Sequence, residues 1–520
     1  MTYMNVSRRT LLKATGLGTA ALALPNLLAA CSGDGAGGSP SGDFTGALRV
    51  SMGSDVKSLD PQKQGDIPSM SVASNIFDTL TTRDADNKLI GSLATSWQAV
   101  DPKTWRFKIR SGVTFHNGEP CDAAAVAFSI NRLIDPATKS PIVELRYVQK
   151  ATAVDATTVD FHLSASDPIL PEKVSLFGGV VVPPKYIAEK GDAGFAASPV
   201  GTGPFTFKSR KQDSEVVLAA NPTYWGGAPA VKSLTIRIMP NPATAIAALQ
   251  SGELDIITGL TPDAIAQLGE GSGFQAKKVP GVREYYVAMN TLDGGPLANE
   301  KVRQALNYAV DVPTLISSVL NGAAEQTATL IPSQVFGYDP TVKGFSYDPA
   351  KAKQLLVEAG FPNGFSTQLS ASTADQDVTQ AIAGQLTKVG VTCNVKIVDA
   401  TQFKSLLVSG DPHAIGPMYL SGNTGWTLDA ESFLQSTIRS DRRQSLWHSK
   451  DADALVDIEE TSLDTAARKQ AFSDLQKLMV AHAPFIYLYQ TSNVYAVRDA
   501  VNWTMPGSGV LAMKPATVTK

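Results

Sequence analysis

The stretch Trp105-Arg106-Phe107-Lys108-Ile109-Arg110-Ser111-Gly112-Val113-Thr114-Phe115-His116-Asn117-Gly118-Glu119-Pro120 decides how the chain is read. Its first six residues alternate large apolar and charged side chains, the period-two pattern of a strand with one buried and one wet face. Phe115-His116-Asn117-Gly118 then reads as a turn. The alternation returns in Val159-Asp160-Phe161-His162-Leu163, in Leu234-Thr235-Ile236-Arg237-Ile238 and over residues 391–398. Helical patterns interleave with these strands. Asn241-Pro242 supplies an N-cap and a first-turn proline, Ile246 and Leu249 share a face, and Gly252 stops the helix before a strand at Leu254-Asp255-Ile256-Ile257. Asp348-Pro349 opens another helix that Gly360 ends. Val302, Leu306 and Ala309 mark a third, and Phe472, Leu475 and Met479 a fourth. No short repeat is present, so the body is mixed α/β in at least two lobes.

The N-terminus has a different character. Residues 1–30 carry Arg8, Arg9 and Lys13 and no acid, followed by seventeen mostly apolar residues from Ala14 to Ala30. That stretch contains Gly16, Gly18 and Pro25 and falls short of the roughly 20 residues a spanning helix needs, so it reads as an export signal. Ser7-Arg8-Arg9-Thr10-Leu11-Leu12-Lys13 resembles a twin-arginine signal, with Leu11 where that pattern prefers Phe, which leaves the general secretion route open. Leu28-Ala29-Ala30-Cys31 resembles a bacterial lipobox, with Cys31 as the lipid attachment point. Residues 31–45 then form a tether. Positions 32–42 are only Gly, Ser, Asp, Ala and Pro, a composition that cannot bury enough surface to offset its ordering entropy. Gly33, Gly35 and Gly38 match a dinucleotide fingerprint formally, but no strand precedes them, and the match is set aside.

Composition narrows the function. The 520 residues hold 45 basic and 48 acidic side chains, a formal net charge of −3, and no basic run of the kind that follows a nucleic-acid backbone. The length exceeds what one core usually supports. Beyond Cys31 only Cys121 and Cys393 remain, far apart in sequence, and both read as buried structural thiols. There is no His-Glu-x-x-His, Cys-x-x-Cys, Walker loop or Gly-x-Ser-x-Gly elbow. The five histidines, His116, His162, His413, His448 and His482, share no ligand spacing, so neither a metal nor another cofactor is expected. A membrane-tethered extracytoplasmic hydrolase using carboxylates alone is the remaining enzyme class, and the missing motifs argue against it.

A set of stretches resembles the peptide/nickel-type family of extracellular solute-binding proteins, the receptors of ABC importers. They are Leu59-Asp60-Pro61, Asn75-Ile76-Phe77-Asp78-Thr79-Leu80, Leu93-Ala94-Thr95-Ser96-Trp97, the opening stretch, Pro199-Val200-Gly201-Thr202-Gly203-Pro204-Phe205, Asn221-Pro222-Thr223-Tyr224-Trp225, Val302 to Asp311 and Tyr347 to Ala352, in the family's order. Most of these residues read as fold-builders: the Gly201–Pro204 segment as a tight turn, Asp60 as a turn or cap residue, and Trp97, Trp105 and Trp225 as core. The resemblance implies a two-lobed periplasmic-binding-protein-like α/β fold of the large peptide-binding class. Lobe I would comprise 46–85, 198–285 and 488–520, an extra subdomain 86–197, and lobe II 286–487. The chain would cross between lobes near Tyr285-Tyr286 and Tyr487–Tyr489, as hinges for closure on the ligand.

The resemblance also implies the function: a monomeric, non-enzymatic lipoprotein outside the cytoplasm, held to the membrane by its lipid, that delivers a di- or oligopeptide to an ABC permease. A nickel chelate, glutathione, an opine or an oligosaccharide is the alternative solute. Residues 419–430 resemble the family's cleft loop. This makes Asp429 the expected partner of a ligand ammonium and Trp426 a stacking wall, with Asn423 and Tyr419 beside them. Ser54 and Asp55 are expected to reach the cleft from lobe I, and Tyr286 and Asn290 from the hinge. Arg442 and Arg443 are candidates for a ligand carboxylate.

Overall fold

A computed structural model describes residues 46–519, apart from 262–263, 265–267 and 269–272. The readings placed on residues 1–45, including Cys31 and the glycine pattern at 33–38, lie outside the described residues. Thr104–Ile109 and Thr158–Leu163 pair antiparallel in a four-stranded sheet with Ala94–Asp101 and Val148–Asp155 at its edges. Trp105, Phe107 and Phe161 enter one core beneath the helix Ala123–Ile134, and Arg106 meets Asp160 at 2.7 Å on the opposite face. Cys121 is buried in this core; Cys393, expected to be buried too, is only half-buried on Val391–Val398, and both thiols are unpaired.

The helix signals work as local chemistry requires. Asn241 accepts from Thr244 N at 3.1 Å to cap Pro242–Ser251, and Gly252 closes it at φ +83°. Asp348 caps Pro349–Glu358 through Lys351 N. The strand expected from Leu254 starts later, at Ile256–Thr258. Asp255 is instead a buried ion-pair residue, taking Arg49 Nη2 at 2.8 Å and Arg49 N at 2.8 Å.

Four family-like stretches converge on the buried carboxylate of Asp78. It accepts from Thr202 Oγ1 at 2.8 Å, Tyr224 Oη at 2.7 Å and Trp225 Nε1 at 2.8 Å. The turn that carries Thr202 lies against the end of the helix Ile67–Ile76, where Gly203 N donates to Ile76 O at 2.8 Å. A Cβ on Gly201 would sit 2.1 Å from Ile76 O, so only glycine fits there. His116 closes the assembly: Nε2 donates to Gly203 O at 2.9 Å, and Nδ1 accepts from Gly201 N at 3.4 Å. Asp60, in its turn, accepts from Gln62 N and pairs with Arg132 at 2.6 Å.

The main sheet has eleven strands among the described residues. Its order is Val391–Val398, Phe365–Ser372, Met418–Thr424, Phe274–Met289, Phe485–Arg498, Ile256–Thr258, Ala47–Met52, Ser233–Ile238, Glu215–Ala220 and Phe205–Lys211, with Ala324–Gln326 added beside Phe485–Arg498. Phe274–Met289 and Phe485–Arg498 serve both lobes. From Phe274↔Arg498 to Pro280↔Ser492 they pair within lobe I, where Tyr495 and Val497 join the core around Leu48 and Val50. The ladder breaks after Pro280 and resumes at Glu284↔Gln490, where Val287, Ile486 and Leu488 join the core around Leu306 and Ile382. Pro280 has no N–H to give the ladder, and a Cβ on Gly281 would lie 2.7 Å from Thr491 O. The break falls a few residues before the Tyr285-Tyr286 crossing expected from sequence.

Glu284 follows the break with no exposed surface. Its carboxyl is bonded to Thr327 Oγ1, and Oε2 has no partner. Burial drives its pKa well above the carboxylate range, so the folded chain holds a proton that the unfolded chain releases above about pH 4.3. That contribution to stability is complete below this value and is lost as pH rises toward the folded pKa. Glu284→Gln is expected to flatten the decline in unfolding free energy between pH 5 and 8, measured by urea denaturation at several pH values. A slope unchanged by the substitution would contradict the assignment.

Candidate functional site

The break in the long strands forms the floor of a cleft of about 520 Å³. Gly281, Val282 and Arg283 come from one strand and Thr491 to Val494 from the other. One wall is Met52-Gly53 at the end of Ala47–Met52, Ile67, Pro68 and Ser71 on the first turns of Ile67–Ile76, Thr258 to Leu260, and part of the loop from Met505 to Leu511. The opposite wall is Thr424 and Trp426. Trp426 is half-buried and meets Phe177 edge to face at 5.8 Å between centroids, and its indole N–H has no partner among the described residues.

Arg283 is the only charged side chain on this surface among the described residues. It is exposed and lies over the Tyr285 ring at 4.9 Å, without an ion pair among the described residues. Sequence reading passed over it. The sole signal was an arginine in a strand just ahead of the tyrosine pair expected to mark the crossing.

Of the residues expected to hold a ligand, Trp426 lines the cleft and the others do other work. Asp429 is buried, pairs with Arg468 at 2.8 Å and accepts from Glu431 N at 3.1 Å. Its carboxylate meets the buried Arg468 guanidinium, and its backbone bridges to Phe336. Asp55 holds Arg210 at 2.8 Å and Asp213 N at 2.8 Å, while Ser54 is exposed outside the cleft lining. Tyr286 is buried and donates to Asn423 Oδ1 at 3.1 Å, and Asn423 Nδ2 donates to Phe433 O at 2.5 Å, so this amide is used at both ends. Tyr419 donates to Gln444 O at 3.3 Å, and Asn290 to Pro412 O at 3.1 Å. Arg442 pairs with Glu460 at 2.6 Å; Arg443 is exposed, and neither lines the cleft.

Beside Trp426 the subdomain of the four-stranded sheet touches residues 427–461 through polar contacts. Arg83 donates to Thr427 O, Arg146 to Glu431 at 3.1 Å and Gln435 at 2.5 Å, and Ser166 to Thr461 O at 2.7 Å. Lys173 joins Asp167 at 2.9 Å and Glu431 at 3.7 Å. The Lys173–Asp167 pair is buried and strong only while both partners are present, whereas the Arg146–Gln435 and Ser166–Thr461 contacts are exposed.

This architecture defines a solute-binding protein of the ABC-importer class. The model of the bacterial extracellular solute-binding proteins, family 5, matches residues 88–445, and the chain belongs to that family. It is 29% identical over 476 residues to the glutathione-binding protein GsiB of Escherichia coli O1:K1 / APEC, covering 88% of this chain and 92% of the relative. HbpA2 of Haemophilus parasuis shares the fold with a TM-score of 0.84 at 22% identity, covering 91% of this chain and 100% of that one. The ABC transporter-associated periplasmic binding protein DppA of Helicobacter pylori, in complex with the peptide STSA, has a TM-score of 0.73 at 25% identity, with 91% and 98% covered.

The place found for Asp429 has a measurable consequence. Asp429→Ala would leave the Arg468 guanidinium buried without its carboxylate, and is expected to cost about 3–5 kcal/mol of folding stability, read by chemical denaturation. A variant as stable as the parent would return Asp429 to the role of a ligand contact.

Proposed function

We propose that this protein captures a small peptide bearing a free carboxylate and delivers it to an ABC permease. The observation that carries the reading is Arg283, a lone unpaired cation on an otherwise uncharged cleft surface. A guanidinium offers a carboxylate two parallel charge-assisted hydrogen bonds. Around it, the ends of the strands at the break bring backbone to the cleft, where an extended peptide would lie, and Trp426 supplies a flat apolar wall. Glutathione, a tripeptide with two carboxylates, suits the same surface and is the ligand named for the relatives in Escherichia coli. Closure would bend the two strands at 280–283 and 490–492, with the free energy coming from tighter binding of the solute to the closed form. Nothing in this scheme requires catalysis, a cofactor or a second copy of the chain. The lipid on Cys31 would hold the receptor near its permease at raised effective concentration, after export by the twin-arginine route that the paired arginines favour or by the general secretion route that Leu11 leaves open.

Two measurements test this. Titration calorimetry with glutathione and alanyl-leucine, against forms amidated at the carboxylates, is expected to show loss of affinity on amidation. Arg283→Gln should weaken the carboxylate forms roughly 10- to 100-fold, about 1.5–3 kcal/mol, and leave the amidated forms unchanged. Equal binding of acid and amide would sink the reading. For the anchor, Cys31→Ala should move the protein from the membrane fraction to the soluble one; retention would exclude lipidation at that cysteine.

A further inference from the structure

The subdomain of the four-stranded sheet is fixed to one core and touches another. Its Phe177, Val180, Val182 and Phe195 belong to the core around Leu48. Its helix Ala123–Ile134 is tied to the same side, where Arg132 pairs with Asp60 at 2.6 Å and Gln62 Nε2 donates to Ser129 O at 2.7 Å. Leu428, Phe433, Leu434 and Val456 belong instead to the core around Phe472. The strand Phe485–Arg498 gives Tyr487 to that core and Tyr495 to the one around Leu48, with the break in its ladder between them. The contacts of the subdomain with residues 427–461 therefore join the two cores a second time, outside the ladder. Their direction is uniform. Arg83, Arg146 and Ser166 donate from the subdomain, and Thr427 O, Glu431, Gln435 and Thr461 O accept. None of Arg146, Lys173 and Glu431 lines the cleft.

Glu431 is the charged centre of this seam. It is 3% exposed, and its Oε1 takes Arg146 Nη2 at 3.1 Å and faces Lys173 Nζ at 3.7 Å. On its own side it lies among acids: burial first, and the charge of Glu431 with it, raises the carboxyls of Asp429, Glu459 and Glu460. The guanidiniums there are engaged, Arg468 by Asp429 at 2.8 Å and Arg442 by Glu460 at 2.6 Å. The charge that answers Glu431 thus comes from across the seam. Removing these cations from water opposes the pairing. Attraction outweighs that cost here. Burial works to lower both Lys173 and Arg146, but Glu431 raises both, with Asp167 adding to the effect at Lys173, and each stands above its ordinary value.

The geometry points to an ionic latch: Glu431, held by Arg146 and Lys173, fastens the subdomain to residues 427–461 and favours the closed receptor before any solute arrives. This rests on the reading of the break at 280–284 as the hinge, and adds what sets the balance between open and closed forms in the absence of solute. Bending at the break would part the two sides of the seam and leave Glu431 with the acids of its own side. The latch touches no cleft surface, so it acts on affinity only through the fraction of molecules that are closed. Its loss weakens every solute by one factor, whereas loss of a cleft contact weakens solutes unequally.

The test reads closure directly, in the full chain without solute. Spin labels are placed on the exposed positions Val154→Cys in the subdomain and Val357→Cys on Pro349–Glu358, with Cys31→Ala and Cys393→Ala to confine labelling, and their distance is measured by pulsed electron paramagnetic resonance. Glu431→Gln and Arg146→Gln are each expected to move the ratio of short to long distances toward long by about 5-fold or more, and the double variant to go no further than either alone. Arg146 is 29% exposed, so Arg146→Gln carries the test should Glu431→Gln fail to fold. Unchanged distances in folded variants overturn the latch. Calorimetry adds an independent readout: Glu431→Gln should weaken glutathione and alanyl-leucine by the same factor and leave the penalty for carboxylate amidation as in the parent. A loss confined to one of the two would make Glu431 a solute contact and overturn the latch. If neither peptide binds the parent, the peptide reading fails, and the distances in the unliganded chain still decide for or against the latch.

Discussion

The structure depends on two long strands that pair twice. Phe274–Met289 and Phe485–Arg498 form one ladder beside the core around Leu48 and another beside the core around Leu306, with a break between Pro280 and Glu284. Regular pairing straight through would have made one rigid sheet. A proline without a donor and a glycine pressed against Thr491 O interrupt it instead. The interruption leaves residues 281–283 and 491–494 lining a cleft, so the floor of the site and the break in the ladder are the same few residues. Gln490 and Gln334 both donate to Gly281 O, holding the break open in a defined form.

Around that axis, polar groups are buried in fixed sets. Asp78 takes three side-chain donors from Thr202, Tyr224 and Trp225, and so ties a helix end, a turn and a loop to one carboxylate. A buried acid of this kind is tolerated only when its acceptors are met. The family-like motifs are thus explained by the fold they build, and they say little about the solute. Lobe I has a similar device in Asp255, which receives Arg49 from a neighbouring strand.

Charge is distributed unevenly about the cleft. Its surface carries one guanidinium among the described residues, while acids elsewhere in the loop that bears Trp426 and in the subdomain beside it pair with Arg146, Lys173 and Arg468. In water such pairs are worth little; the buried ones, Lys173 with Asp167 and Arg468 with Asp429, matter more. The contacts of Arg146 with Glu431 and of Ser166 with Thr461 join the subdomain to the loop region that presents the indole.

Local order was legible in the sequence. Alternation at 105–110 and 159–163 gave half-buried strands, and Asn241, Gly252 and Asp348 marked helix ends, because these signals act within a few residues of the backbone they control. The two-lobed class was legible through the order of its motifs. The site was not. Asp429, Asp55, Asn423, Tyr286, Tyr419 and Asn290 are polar residues in cleft-like segments, yet their partners lie as far away as Tyr286 from Asn423 or Asn290 from Pro412, and only folding shows them already bonded. Trp426 was found through the resemblance of its loop to the family's cleft loop. Arg283 was missed because what distinguishes it is the lack of an ion-pair partner among the described residues. The sequence alone determined the strands, the helix ends and the family. Which carboxylates and guanidinia are free to meet a solute was decided only in three dimensions, since a charge is free or spoken for according to neighbours that the linear order does not place beside it.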